Sequence, residues 1–152
     1  MASGADIEAW CSKALAYGKT LKKSPVTAEK SALHVLVVDD EPLIRWSVCE
    51  VLRESGHEVT EASDGASAVQ RLSDGRPFDV VVLDFRLPDS NDLRLLETIR
   101  RLTPGSAVIM MTAFGTPEMV AGALALGASR VLSKPFDVHD LAALVAEVSR
   151  AH

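Results

Sequence analysis

Short apolar runs alternate with longer stretches of helical periodicity five times in succession between residues 33 and 149, and that alternation restricts what this chain can fold into more than any other feature. LHVLVV (33–38), HEVTE (57–61), DVVVLD (79–84), SAVIMM (106–111) and SRVL (129–132) have the length and β-branched content of strands. Three of them are apolar on both faces, as in a sheet covered by helices on both sides. Residues 42–55, 64–73, 91–102, 117–126 and 137–149 read as helices. The turn and cap sequences Ser55-Gly56, Asp64-Gly65, Asp74-Gly75-Arg76-Pro77 and Thr103-Pro104-Gly105 punctuate them. Parallel neighbours need a crossover, which a helix supplies, so the prediction is an α/β three-layer sandwich on a five-stranded parallel sheet.

Residues 1–31 do not share this pattern. Ile7, Trp10, Ala14, Leu15 and Leu21 loosely follow helical spacing over 5–21, Lys22-Lys23-Ser24-Pro25 stops it, and a polar linker runs to about Ser31. The expected organisation is an N-terminal extension over 1–31 and one folded domain over 32–152. Charge divides the same way: residues 1–30 hold five Lys against three acids, and 31–152 hold 11 basic against 18 acidic residues. An acidic body lacks the clustered cations that nucleic acid requires, so no direct nucleic-acid binding is expected. Cys11 and Cys49 have no metal-ligand spacing. The first residues lack the apolar core of a signal peptide, and no stretch reaches about 18 consecutive apolar residues, so a cytoplasmic protein without membrane attachment is expected.

In parallel α/β sheets polar chemistry collects beyond the carboxyl ends of the strands. Here the first strand runs into Asp39-Asp40-Glu41, the third ends in Asp84, the fourth meets Thr112, and the fifth leads to Lys134-Pro135. Two carboxylates about 4 Å apart repel by roughly 4 kcal/mol at an effective dielectric near 20. Gathering Asp39, Asp40 and Asp84 therefore calls for a cation. Magnesium, or manganese, suits such a site: it takes one or two carboxylates and completes its octahedron with water and phosphate oxygens. A metal and a lysine around one carboxylate serve phosphoryl transfer onto Asp84, with Lys134 neutralising the transferring group and Thr112 donating its hydroxyl to a phosphoryl oxygen.

DDE after strand one, VVLDFRLPD around Asp84, MMTAFG at Thr112 and VLSKPF at Lys134 together resemble the receiver domain of bacterial two-component response regulators, over residues 33–149. The resemblance implies a flavodoxin-like fold with strand order 2-1-3-4-5 and a regulatory phosphoacceptor rather than an enzyme. It also implies phosphorylation of Asp84 by a sensor histidine kinase or histidine phosphotransfer protein, and a metal held by Asp39, Asp40, Asp84 and the Arg86 backbone carbonyl. DFRLPDSNDLRLLETIR and MMTAFGTPE look most like receivers of sigma-54-dependent (NtrC-type) regulators. Two positions depart from the family's pattern. Val131 stands where an aromatic ring usually couples to the threonine, and Asp92 stands where a glycine is common.

Ala113, Phe114, Val131 and Pro135 are the expected switch and flanking residues. Arg86 and Phe114, each two positions beyond a reactive residue, are expected to flank the phosphoryl group and lengthen the phosphorylated state. A cis Lys134-Pro135 bond is expected to turn the ammonium back over the rim. PEMVAGALAL, with Glu118 its one charge, reads as a movable helix; with the fifth strand and last helix it forms the face expected to meet a downstream partner or a second copy. Trp46, on the less apolar side of the first helix, is expected to mark a phosphodonor docking patch. His34, His57, His139 and His152 are scattered and expected at the surface or at strand edges.

Taken singly these residues have ordinary roles. Acids before Pro42 favour a helix start, and a threonine commonly caps a strand end. Two other functions remain open at this stage. One is an interaction module that is no longer phosphorylated, favoured by Val131. The other is an aspartyl-phosphate phosphatase of the haloacid-dehalogenase kind, which needs an aspartate where Arg86 stands.

Overall fold

Strand and helix alternate strictly along the chain: β1 (His34–Val38), α1 (Pro42–Glu54), β2 (Glu58–Ala62), α2 (Gly65–Ser73), β3 (Val80–Asp84), α3 (Arg94–Leu102), β4 (Ala107–Thr112), α4 (Pro117–Ala125), β5 (Arg130–Ser133) and α5 (Val138–Ala151). The computed structural model describes residues 32–151, so the helix expected over 5–21 lies outside the described residues. All strand pairs are parallel and the order is β2-β1-β3-β4-β5, the flavodoxin-like arrangement with five helices.

The burial pattern follows from the residue types. β1, β3 and β4, whose runs carry no polar alternation, are buried along their whole length. β2 and β5 form the edges and expose Glu58 and Arg130 at their starts, charges that discourage further strand pairing. Successive side chains point to opposite faces. Leu36, Val38, Val81, Leu83, Val108 and Met110 pack on the layer holding Ala68 of α2, Leu96 and Ile99 of α3, and Ala123 of α4. Val35, Val37, Val80, Val82, Ile109 and Met111 pack on Val48, Cys49 and Leu52 of α1 and on Leu141, Val145 and Val148 of α5. Fully burying each of the larger aliphatic side chains contributes about 1.5–3 kcal/mol, so this double-sided core fixes the sheet that carries the strand ends.

Caps set the helix starts. Pro42 occupies the first turn of α1, Asp64 accepts the Ser67 N–H at 2.7 Å, and Thr116 Oγ1 accepts the Met119 N–H at 3.1 Å. α3 begins at Arg94, three residues later than the periodicity predicts. Leu87 and Ser90 exchange backbone hydrogen bonds of 2.7 and 3.2 Å, and Asp92 Oδ1 accepts the Arg94 N–H at 2.9 Å, which commits the intervening residues to a turn. Gly122 in α4 has a packing reason, because a Cβ there would lie 3.0 Å from Leu93 Cδ1.

Two histidines depart from expectation. His34 and His57 are buried rather than superficial. His34 places Nδ1 2.9 Å from the Pro77 carbonyl and Nε2 3.0 Å from Thr60 Oγ1, and stacks on Phe78 with ring centroids 4.0 Å apart. His57 Nδ1 accepts the Leu33 N–H at 3.1 Å. Both rings satisfy polar groups at the amino-terminal side of the sheet, opposite the strand ends discussed next. Among the described residues no helix is long and apolar enough to cross a membrane.

Candidate functional site

Because the strands are parallel, the residues that end them meet at one rim. Asp84 is the last residue of β3 and Asp39 follows β1; both are buried. Thr112, the last residue of β4, is buried too, and Lys134 follows β5. The Lys134-Pro135 bond is cis, as expected. Lys134 Nζ reaches Glu41 Oε1 at 3.1 Å, Asp84 Oδ2 at 3.2 Å and Asp39 Oδ2 at 3.5 Å. Carboxylate oxygens of Asp39, Glu41 and Asp84 lie within 4.8 Å of one another.

Electrostatics follow from that crowding. Burial, then the neighbouring Asp39 charge, push the Asp84 carboxyl up to about 6, with Lys134 pulling the other way. Burial raises Asp39 above the usual carboxylate range as well, opposed by the Glu41 N–H at 2.8 Å and by Lys134. For Lys134, burial works against the charge, but Glu41, Asp39 and Asp84 outweigh it and hold the ammonium above its ordinary value. One cation therefore serves three acids, and the set still favours a further positive charge. The donors are hard oxygens, the kind that magnesium and manganese take.

The rim borders an open cavity of about 920 Å³ lined by Asp40, Glu41, Asp84, Arg86, Thr112 and Lys134, with Leu43, Ala113, Phe114 and Pro135 among its apolar walls. Asp84 therefore faces solvent through this opening. Asp40, expected as a metal ligand, is exposed and lines the cavity, while Glu41 takes the third place in the close carboxylate trio. The Arg86 N–H points to Asp84 Oδ1 at 3.4 Å, and its carbonyl belongs to the same segment. Thr112 Oγ1 accepts the Phe114 N–H at 3.3 Å. The loop comes so close here that a Cβ on Gly115 would sit 2.9 Å from Thr112 Cγ2. Phe114 is exposed. Val131 is not at the cavity: it is half-buried on the opposite face of β5, against the core beneath α4.

Sequence reasoning missed one anchor of the loop that follows β3. Asp89, in the β3–α3 loop, accepts the Gly65 N–H at 2.8 Å and the Ala66 N–H at 3.0 Å, tying that loop to the start of α2. Its partners are 24 and 23 positions away, so no local spacing betrays it.

A sequence model for the response regulator receiver domain matches residues 35–146. The chain belongs to this family. The receiver chain is 39% identical over 114 residues to the probable transcriptional regulatory protein TcrX of Mycobacterium tuberculosis, covering 75% of this chain and 48% of the relative. It is 32% identical over 107 residues to sporulation initiation phosphotransferase F of Bacillus subtilis, covering 70% and 86%. Among solved structures, the receiver domain of NtrX from Brucella abortus aligns with a TM-score of 0.67 and 38% identity, over 76% of this chain and 96% of that one. The chain spans about half the length of the first curated relatives it matches.

Proposed function

We propose that this receiver is a phosphorylation-dependent switch in a two-component phosphorelay, in which Asp84 accepts a phosphoryl group from the phosphohistidine of a sensor kinase or histidine phosphotransfer protein. The observation that carries the reading is the convergence of Asp84, Asp39 and Glu41 on the Lys134 ammonium at the mouth of an open cavity. A carboxylate oxygen of Asp84 attacks phosphorus and the histidine nitrogen leaves. Lys134 neutralises charge on the transferring group and keeps Asp84 oriented. Thr112 donates its hydroxyl to a phosphoryl oxygen, exchanging the Phe114 contact for the new acceptor.

Magnesium or manganese fits the donor set. Asp39, Asp40, Asp84 and the Arg86 carbonyl would hold it, with Glu41 beside them, and it would supply charge neutralisation of the phosphoryl oxygens. The unit acts as a regulator, not as a catalyst of turnover, in the cytoplasm, over residues 32–152 with 1–31 as an extension. Occupation of the site shifts the population toward a conformer with different partner affinity, read on α4, β5 and α5 by a downstream protein or a second copy. The acidic unit itself makes no nucleic-acid contact. The motif stretch after Asp84, rather than overall identity, carries the finer likeness to receivers of sigma-54-dependent regulators. The identities of 38% to NtrX and 39% to TcrX do not separate the two.

Incubation of wild type and Asp84→Asn with acetyl phosphate and magnesium, followed by intact mass, tests the reading. Gain of one stable phosphoryl group by wild type alone is expected. Continuous phosphate release from small esters without a stable adduct would point instead to a phosphatase, and no adduct under any donor to a module that is not phosphorylated.

A further inference from the structure

α1 carries a cation where helix electrostatics disfavour one. Arg45 stands in its first turn, near the partial positive charge of the helix N-terminus, yet its side chain is only 20% exposed. It spans two other elements. Its Nη1 donates to the Asp39 carbonyl at 2.6 Å, and its Nε donates to Glu61 Oε1 on β2 at 3.0 Å. Glu61 also receives Arg53 Nη2 at 3.3 Å, from about two turns further along α1.

Asp39 is thereby gripped at both ends of its backbone. Its N–H donates to the Ala62 carbonyl at 3.1 Å, and its carbonyl is held by Arg45. Its carboxylate then accepts the Glu41 N–H through Oδ1 and faces Lys134 through Oδ2. A carbonyl at a strand end needs some partner, but water would serve. A guanidinium braced against a second strand instead fixes the turn from Asp39 to Glu41 in direction as well as satisfying it.

We propose that Arg45, braced by Glu61, is a positioning residue for the cation site: it sets divalent-cation affinity through the β1–α1 turn without touching the cation. This rests on the reading of the acidic cluster as a magnesium site. The effect is geometric more than electrostatic, since Glu61 offsets the guanidinium charge and the charges acting on the Asp39 carboxyl are those of Lys134 and Glu41. Arginine is required because a planar fork reaches two acceptors at fixed angles, which an ammonium does not reproduce.

Magnesium titration calorimetry on the full chain, for wild type, Arg45→Ala, Arg45→Lys and Glu61→Gln, tests this, with circular dichroism to confirm folding. Loss of groups that orient metal ligands commonly costs 10–100-fold, so the magnesium Kd is expected to rise about tenfold in Arg45→Ala and about threefold in Glu61→Gln, which keeps the carbonyl contact. Arg45→Lys should recover only part of the loss. The magnesium concentration giving half-maximal phosphorylation by acetyl phosphate should rise in parallel, while the maximal rate falls far less. Folded variants that bind magnesium as tightly as wild type overturn the inference and leave the site reading intact. Wild type that binds no magnesium overturns both. If Arg45→Ala does not fold, Glu61→Gln and Arg45→Lys decide by the same criterion.

Discussion

Lys134 Nζ stands 3.2 Å from Asp84 Oδ2 across 50 positions of sequence, and the same ammonium reaches Glu41 and Asp39. A single cation thus offsets three carboxylates, two of them buried. Lys134→Ala leaves those two without a counter-charge. Removing one partner of a buried pair costs about 3–5 kcal/mol, and the partial exposure of this site reduces the expected loss to roughly 2–3 kcal/mol at neutral pH in chelator. Urea unfolding measures it, and added magnesium should restore part of the stability. An unchanged midpoint would mean that the carboxylates do not depend on the ammonium.

Asp84 itself is expected to limit stability. Its carboxyl is raised from 3.8 to about 6, so the folded state holds the proton more tightly than the unfolded chain. Its contribution is therefore fully present below the ordinary carboxylate range and is lost as pH rises through about 6. Asp84→Asn does not ionise and escapes that loss. In chelator at neutral pH it should be more stable than wild type by about 1–3 kcal/mol, with the difference gone near about pH 4. Denaturant midpoints across pH check the crossover. A variant less stable than wild type at every pH would contradict the electrostatic origin.

Arg86 and Phe114 both border the cavity beside the proposed acceptor. A long cation and an exposed ring at its mouth are expected to obstruct the water that would hydrolyse an acyl phosphate. The double variant Arg86→Ala, Phe114→Glu is expected to lose its phosphoryl group several times faster after donor removal, followed by intact mass over time. An equal or slower decay would remove these side chains as the barrier.

Asp89 satisfies two backbone N–H groups that open α2. Asp89→Ala should cost about 0.5–2 kcal/mol in urea unfolding, the range for losing a helix cap. Asp89→Asn should lose less. No change in either would show that Asp64, which caps Ser67 in the same turn, suffices alone.

What the sequence made legible was whatever local pattern encodes. Val80 to Leu83 announce a central strand because no polar residue interrupts them, and Asp84 announces chemistry because an acid closes that run. Contacts made across the fold were less visible. Glu41 joins the close trio because α1 begins immediately after it and turns its carboxylate toward Lys134, 93 positions away. The late start of α3 depends on the Leu87–Ser90 turn, and the burial of His34 depends on Pro77, Thr60 and Phe78. Arg45 did leave a trace in the sequence: a cation in the first turn of a helix that opens with acids and a proline is out of place unless something holds it.

The most direct test locates the phosphoryl group. After phosphorylation with acetyl phosphate and magnesium, borohydride reduces an aspartyl phosphate to homoserine, and peptide mass spectrometry identifies the position. Homoserine at position 84 alone is expected, with none in protein treated without donor. Reduction at any other aspartate, or a phosphorylated protein in which position 84 remains aspartate, would contradict the assignment of Asp84 as the acceptor.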